Sequence, residues 1–186
     1  PLEFFFHTPR DGQLSAALGR LQEGDRVWVQ QTPEGRFTLD QVPDGRELWL
    51  LATGTGVSPF LSLLCTSQPW ERFEHIVLVY GVRHSSDIVH GDLLARLRSR
   101  HGERFSFIPF VSREQVANTV HGRIPASIAD GSLERVTGRH FTTERSRFMI
   151  CGNPGMVQDS LAALQQRGFV RSADGRTGHI TLEAYW

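Results

Sequence analysis

The clearest structural signal lies in Leu48-Trp49-Leu50-Leu51-Ala52-Thr53-Gly54-Thr55-Gly56-Val57-Ser58-Pro59. Residues 48–52 are all apolar, as is typical of a strand that is buried on both faces of a parallel sheet. The glycines that follow predict a tight turn, while Ser58 and Pro59 fit the N-cap and the first position of a helix. The segment is therefore predicted to form a strand, a turn and a helix, which is the repeating unit of α/β folds.

The same alternation continues to the end of the chain. Further apolar runs predict strands at 76–80, 105–110, 147–151 and 179–182. Helical patterns cover residues 59–65, 91–100, 123–130 and 154–167. Together these elements predict a five-stranded, doubly wound parallel sheet. Pro109 lacks the N–H group that a ladder needs, so we expect the third strand to lie at an edge of the sheet.

The first quarter of the chain has a different pattern. Short apolar runs predict strands at 4–7, 25–30 and 37–39, and a short helix at 12–18. These elements suit part of an antiparallel β-barrel, but they are too few to close one. We therefore predict two domains, residues 1–46 and residues 47–186. Because Pro1 opens in the middle of an apparent strand, we expect an N-terminal portion to precede it in the whole protein.

Composition excludes several classes of function. The 186 residues include 20 basic and 20 acidic side chains, and every basic one is arginine. Without lysine, the chain has no Schiff-base residue and no lysine-bearing phosphate loop. A net charge of zero argues against a nucleic-acid binder, and no apolar run approaches the ~20 residues of a membrane helix. Cys65 and Cys151 are too far apart in sequence for a zinc or dithiol motif, so we expect no metal site and a reducing, cytoplasmic compartment.

The glycine-rich turn indicates where a ligand would bind. In open α/β sheets, ligands bind beyond the C-terminal ends of the strands, near the point where the strand order reverses. Gly54 and Gly56 would let a pyrophosphate approach the backbone there, although a turn without any ligand would use the same residues. Gly152 and Asn153 follow another predicted strand in the same way. No base is near Cys151 in sequence, which argues against covalent catalysis.

Several segments, taken together, resemble the ferredoxin–NADP reductase superfamily. They are residues 51–60, 111–114, 121–125 and 151–154, in that order and spacing. The last residues, Glu183-Ala184-Tyr185-Trp186, are similar to the C-terminus of bacterial ferredoxin/flavodoxin–NADP reductases. The resemblance covers essentially the whole chain. It implies an FAD-containing oxidoreductase that transfers hydride between NADPH and flavin, and single electrons to or from flavodoxin or ferredoxin, which are small acidic carriers.

The resemblance also implies which residues bind NADP. Ser112, Arg113 and Arg123 match the positions that hold the 2′-phosphate, and Arg83 matches one near the pyrophosphate and ribose. Arginine suits this role because its guanidinium group offers bidentate, charge-assisted hydrogen bonds to phosphate. The remaining expected NADP contacts are Gly54, Gly56, Gly152 and Asn153. Arginines are concentrated in residues 96–147, where most would otherwise form an ordinary solvated surface.

Further roles follow from the same resemblance. The segments that match FAD-holding positions comprise Phe5, Phe6, His7, Thr8, Gln13, Leu14, Ser15, Thr55 and Trp186. The expected catalytic residues are Cys151, Glu183 and Tyr185. Cys151 and Glu183 match residues that border the nicotinamide pocket, with Cys151 expected to pack and position and Glu183 to balance charge or supply a proton. Tyr185 or Trp186 is expected to occupy the nicotinamide or adenine face until displaced. The family's upstream Arg-x-Tyr-Ser motif is absent from this chain. Two alternatives therefore stay open: a non-catalytic NADP-binding fragment, and a related flavin reductase or oxygenase reductase component. We expect a monomer.

Overall fold

The computed structural model describes residues 3–8, 12–32, 34–173 and 176–184. The chain divides into two compact units, residues 1–36 and residues 37–186. The domain boundary between residues 46 and 47 stays a prediction.

The first unit contains one of the elements predicted for it. Helix α1 (Gln13–Leu18) confirms the short helix expected at 12–18. The strands expected at 4–7 and 25–30 are wrong, since the described residues of this unit form no strand. Trp28 in the second of these segments is fully exposed. An extended segment needs neighbouring strands to build a ladder, and alternation in the sequence does not supply them.

The second unit is built on a parallel sheet, which confirms the predicted fold class. Its strands within the described residues are β1 (Glu47–Thr53), β2 (His75–Val82), β3 (Phe105–Val111), β4 (Val120–His121), β5 (Ser146–Gly152) and β6 (Ile180–Ala184). They lie in the order β4-β3-β2-β1-β5-β6, and every pair of neighbours is parallel. All five predicted strands of the sheet are present. The described residues add a sixth, β4, which is only two residues long.

The short strand β4 changes the expected position of β3. Because β4 lies outside it, β3 is not the edge strand that Pro109 suggested. However, β4 pairs only with Phe110 and Val111. Pro109 itself pairs on its inner side with Tyr80, and no partner is assigned to its outer side among the described residues. The proline therefore still avoids a position that needs its missing N–H.

Helices alternate with the strands along the chain. They are α2 (Ser58–Leu64), α3 (Gln68–Arg72), α4 (Gly91–His101), α5 (Ile124–Ala129), α6 (Ser132–Thr137) and α7 (Pro154–Gln166). Four of them confirm predicted helices, and the short α3 and α6 were not predicted. The predicted N-cap role of Ser58 is wrong, because a 3-10 turn at Gly54–Val57 precedes α2 and Val57 takes the cap position. The strand predicted at 37–39 is also wrong, since Leu39–Gln41 form a 3-10 turn.

The core is apolar on both faces of the central strands. Leu48 to Ala52 are fully buried, as their unbroken apolar run predicted. An aromatic cluster packs on one face, where Phe141 lies edge-on to Trp49 at 4.7 Å and to Phe148 at 5.1 Å between ring centroids. Edge-to-face aromatic pairs of this kind add to the free energy gained from burial. Among the described residues, no helix is long and apolar enough to cross a membrane.

Candidate functional site

The strand order reverses between β1 and β5. The chain runs outward from β1 through β2, β3 and β4 on one side, and then adds β5 and β6 on the other side. Thr53 ends β1 and Gly152 ends β5, so two loops meet at this reversal. Open α/β sheets bind their ligands at such a point. The loops predicted from the sequence as ligand-binding are therefore neighbours in the fold.

The two loops are in direct backbone contact, and this contact requires two of the glycines. A Cβ atom on Gly152 would lie 2.8 Å from the carbonyl oxygen of Thr53 and 2.9 Å from its nitrogen. A Cβ atom on Gly56 would lie 2.6 Å from the Cα atom of Gly152. Gly54 differs, because a Cβ atom there would meet nothing within 4 Å. Gly56 and Gly152 thus serve contact between the loops, whereas Gly54 faces open space.

Asn153 organises the start of α7. Its Oδ1 atom accepts hydrogen bonds from the backbone N–H groups of Gly155 at 3.0 Å and Met156 at 3.4 Å. This is an N-cap, which satisfies donors that the first turn of a helix leaves unpaired. Its own backbone N–H donates to Oγ1 of Thr53 at 3.1 Å. The sequence did not reveal this capping role, although asparagine before a proline-initiated helix is a recognisable signal.

The predicted phosphate-binding arginines follow the C-terminal ends of three adjacent strands, at the same edge of the sheet. Val82, Val111 and His121 are paired in register across β2, β3 and β4. Arg83, Arg113 and Arg123 come one or two residues after them, at positions 83, 113 and 123. All three are exposed, and within the described ranges none has a partner for its guanidinium group. Three exposed positive charges at one edge favour the binding of an anion.

Main-chain hydrogen bonds join the segments that follow these strands, which we call the strand exits. The N–H of Arg113 donates to the carbonyl oxygen of Arg83 at 3.0 Å. Ser112 donates through both its N–H, at 3.1 Å, and its Oγ, at 3.3 Å, to the carbonyl oxygen of Val82. Arg83 and Arg113 therefore project from a fixed frame, even though their side chains are exposed.

Other arginines of the 96–147 stretch stabilise the fold instead. Arg104 donates to the carbonyl oxygen of Phe73 at 2.9 Å. Arg139 and Arg145 each approach the buried carboxylate of Glu47 at 3.5 Å. The basic stretch therefore contains both structural arginines and arginines that are available to an anion.

Glu114 is a residue of this edge that the sequence did not single out. Its Oε1 atom accepts a hydrogen bond from the backbone N–H of Ser85 at 2.5 Å. Hydrogen bonds from the amide and hydroxyl of Ser85 lower the pKa of Glu114, so the side chain is held in its ionised form. The signal in the sequence was a carboxylate placed directly after an arginine expected to bind phosphate.

Cys151 and Glu183 are paired in register on β5 and β6. Cys151 is completely buried, whereas Glu183 is half-buried. A nicotinamide ring would reach the sulfur of Cys151 only if a covering group moved, so the expected role of Cys151 stays a prediction, as does that of Glu183. Tyr185 and Trp186, which were expected to border the cofactors, lie outside the described residues.

The residues expected to hold FAD are only partly placed. Phe6 and Leu14 are exposed apolar side chains, and Thr55 is half-buried. Within the described ranges, no three His, Cys, Asp or Glu side chains are grouped so that they could hold a metal ion.

Known proteins match the chain over its whole length. A family described as the oxidoreductase NAD-binding domain matches residues 50–161. A flavodoxin/ferredoxin–NADP reductase of Shigella flexneri is 41% identical over 186 residues, which are 100% of this chain and 75% of that protein. The chain belongs to the bacterial flavodoxin/ferredoxin–NADP reductase family. A ferredoxin–NADP reductase of Pseudomonas aeruginosa is 34% identical and is matched over 98% of this chain and 73% of its own length.

A solved structure supports the same membership in the flavodoxin/ferredoxin–NADP reductase family. The crystal structure of a ferredoxin–NADP reductase from Neisseria gonorrhoeae, with bound FAD and NADP, superposes with a TM-score of 0.88. It is 32% identical, and the match covers 95% of this chain and 71% of that one. The chain thus spans about three quarters of the length of the reductases that it matches.

Proposed function

We propose that the chain carries the nucleotide-binding part of an FAD-dependent oxidoreductase. Its reaction is hydride transfer between NADPH and flavin, coupled to single-electron transfer to or from flavodoxin or ferredoxin. Membership in the flavodoxin/ferredoxin–NADP reductase family supports the reaction class. The observation that carries the choice of NADP is that Arg83, Arg113 and Arg123 follow adjacent strands paired in register, and that their guanidinium groups have no partner among the described residues.

Each part of the site has a physical role in this proposal. When bound, the nicotinamide and flavin rings supply the hydride and electron transfer, and the protein positions them. Arg113 and Arg123 donate charge-assisted hydrogen bonds to the 2′-phosphate, together with Ser112. The open backbone at Gly54 leaves room for the pyrophosphate, and the exposed Arg83 offers a further positive charge near it. The chemistry of these donors fits a dianionic phosphate better than the two hydroxyls of an NAD ribose.

The nicotinamide end of the site is proposed to lie at β5 and β6. Glu183 is the second-last residue of β6, and its side chain is half-buried. We assign it charge balance or proton supply at the nicotinamide, because a carboxylate can hold or release a proton as the charge of a neighbouring ring changes. Cys151, buried in the adjacent strand, is assigned a packing role beneath that position.

Further parts of the proposal concern the rest of the molecule. Residues 1–46 belong to the FAD-binding domain, in which Phe5, Phe6, His7, Thr8, Gln13, Leu14 and Ser15 contact FAD. Residues 47–186 form the NADP-binding domain. The partner is a small acidic carrier, flavodoxin or ferredoxin, and the protein acts as a cytoplasmic monomer without nucleic acid or membrane. Family names support the carrier.

The coenzyme assignment is tested by measuring dissociation constants for NADP⁺ and NAD⁺. Arg113→Ala should weaken NADP⁺ binding by roughly 10–150-fold, the effect of losing one charge-assisted hydrogen bond of about 1.5–3 kcal/mol. Binding of NAD⁺, which lacks the 2′-phosphate, should hardly change. Arg98→Ala is the control, because Arg98 is an exposed arginine on α4 away from the strand exits. Equal losses for both coenzymes would refute the 2′-phosphate site.

Flavin content separates the enzyme from the non-catalytic alternative. Purified protein with flavin absorbance, and with NADPH-dependent reduction of flavodoxin or ferredoxin, supports the reductase. A colourless protein that binds NADP⁺ but no FAD would favour an NADP-binding fragment for this chain.

A further inference from the structure

Glu114 connects the three segments that carry the exposed arginines. Its carboxylate accepts the Ser85 N–H at 2.5 Å, and Ser85 lies two positions after Arg83. Its backbone carbonyl oxygen accepts a hydrogen bond from Nδ1 of His121 at 3.0 Å, and His121 lies two positions before Arg123. Glu114 therefore contacts the exits of β2 and β4 while it follows Arg113 at the exit of β3.

The side chain of Glu114, through its hydrogen bond from Ser85, fixes the segment that follows β2. Beyond Arg83 the chain forms a 3-10 turn, Ser85–Asp87. This turn is closed internally, since Oδ2 of Asp87 accepts the N–H of His84 at 3.0 Å. Loss of the Glu114 carboxylate would thus free a turn that keeps its own shape. The chain beyond Arg83 would then be free to move, while the carbonyl oxygen of Arg83 would keep its hydrogen bond from the Arg113 N–H.

A carboxylate at this place has an electrostatic cost. A negative charge close to an anion site repels the phosphate that the arginines attract. If Glu114 had no other role, its charge would simply weaken the site. Its hydrogen bond to the Ser85 amide supplies the other role, because the spacing of donors decides whether they reach one phosphate together.

We infer that Glu114 is a positioning residue for coenzyme selectivity, and that it acts by fixing the turn that follows Arg83 relative to Arg113 and Arg123. This inference rests on the proposed function, since it assumes that Arg113 and Arg123 bind the 2′-phosphate and that Arg83 lies beside the ribose that carries it. Glu114 itself does not touch the coenzyme. The part of its side chain that matters is a hydrogen-bond acceptor, not a negative charge.

Two substitutions of Glu114 separate the effect of its hydrogen-bond acceptor from the effect of its negative charge. Glu114→Ala removes both, so the ratio of NADP⁺ to NAD⁺ affinity should fall about tenfold, as when one charge-assisted hydrogen bond loses its geometry. Glu114→Gln keeps a carbonyl oxygen for the Ser85 N–H and removes the repulsion. It should therefore bind NADP⁺ at least as tightly as the unmodified protein. A Glu114→Gln protein that loses as much selectivity as Glu114→Ala would overturn the inference.

The melting temperature and Arg113→Ala complete the test. A merely structural Glu114 would lower the melting temperature in Glu114→Ala without changing the affinity ratio, and this result would also overturn the inference. Arg113→Ala is measured in the same assay. If Arg113→Ala changes the ratio and Glu114→Ala does not, only the inference on Glu114 fails. If neither changes it, the proposed 2′-phosphate site fails and the inference fails with it.

Discussion

The backbone N–H of Asn153 donates a hydrogen bond of 3.1 Å to Oγ1 of Thr53, one hundred positions earlier in the chain. Thr53 is the last residue of β1, and Asn153 caps the helix that follows β5. A threonine hydroxyl therefore joins the two loops at the reversal of the strand order. Since the coenzyme is proposed to bind there, the bond should affect both stability and binding.

Thr53→Val tests this bond, because valine has nearly the same shape but no hydroxyl. We expect a loss of about 0.5–1.5 kcal/mol in the free energy of unfolding, the usual net value of one hydrogen bond, together with weaker NADP⁺ binding. Urea unfolding and NADP⁺ titration measure the two effects. Thr66→Val is the matched control, since the hydroxyl of Thr66 bonds to the carbonyl oxygen of Leu63 within its own exposed turn. Equal behaviour of the two variants would contradict a role for the loop–loop bond.

Gly152→Ala should be more damaging, because the new Cβ atom would meet the backbone of Thr53. Gly152 also has a φ of +143°, which side-chain-bearing residues rarely adopt. Overpacking costs about 1–3 kcal/mol, and strained backbone costs about as much again. We therefore expect a loss of about 2–5 kcal/mol in the free energy of unfolding, measured by urea denaturation.

Gly35→Ala separates the two causes of that loss. Gly35 has a similar φ of +122°, but a Cβ atom there would meet nothing within 4 Å. Its substitution should show the backbone cost alone. If Gly35→Ala destabilised the protein as much as Gly152→Ala, close approach of the two loops would not be what requires glycine at position 152.

The sheet was predictable because most of its strands show their burial in the sequence. An unbroken apolar run such as 48–52 is typical of a strand buried on both faces. The two-residue β4 could not be predicted, because Val120 and His121 become a strand only through pairing with Phe110 and Val111. The reverse error occurred at 25–30, where alternation is present but no neighbouring strand is found among the described residues.

The sequence indicated candidate residues for the site but not the contacts between them. Gly56 and Gly152 were recognised as special, but the contact between them involves parts of the chain that are distant in sequence. Glu114 was overlooked for the same reason, since its partner Ser85 lies 29 positions away. Residue types mark where a ligand binds, whereas the contacts that hold the site in shape emerge only when the strands are brought together.

Glu134 should be important for stability and not for coenzyme binding. Its buried carboxylate accepts the N–H of Phe141 at 2.7 Å and a guanidinium N–H of Arg167 at 2.5 Å. Glu134→Ala would leave the Phe141 N–H without its acceptor and the partly buried Arg167 without its carboxylate, although Arg167 would still donate to the carbonyl oxygen of Ile128 at 3.0 Å. Because Arg167 retains some exposure to water, we expect the free energy of unfolding to fall by about 2–4 kcal/mol, slightly less than after loss of one partner of a fully buried pair.

Thermal unfolding and NADP⁺ titration of the same Glu134→Ala protein check this prediction. Glu103→Ala is the control, since Glu103 is an exposed glutamate with no ion-pair partner among the described residues. Weaker NADP⁺ binding at protein concentrations and temperatures where Glu134→Ala is fully folded would show that Glu134 also shapes the site.

The pKa of His75 makes the free energy of unfolding depend on pH. Burial, and then the charges of Arg139 and Arg104, lower the pKa of His75 to about 4. The folded protein therefore holds this histidine neutral, while the unfolded chain protonates it at a pH near 6.5. Between these two values the unfolded state binds more protons, so this contribution to stability is present above pH 6.5 and is lost as the pH falls towards 4.

His75→Gln should reduce that acid sensitivity. Glutamine can still form a hydrogen bond with Ser106, whose Oγ lies 3.1 Å from Nε2 of His75, but it takes up no proton. Urea unfolding at several pH values between 4 and 7 gives the slope of the free energy of unfolding. The slope for the unmodified protein should exceed that of His75→Gln by at most about 1.4 kcal/mol per pH unit, the value for one proton. Identical slopes would mean that His75 is protonated in the folded protein as readily as in the unfolded chain.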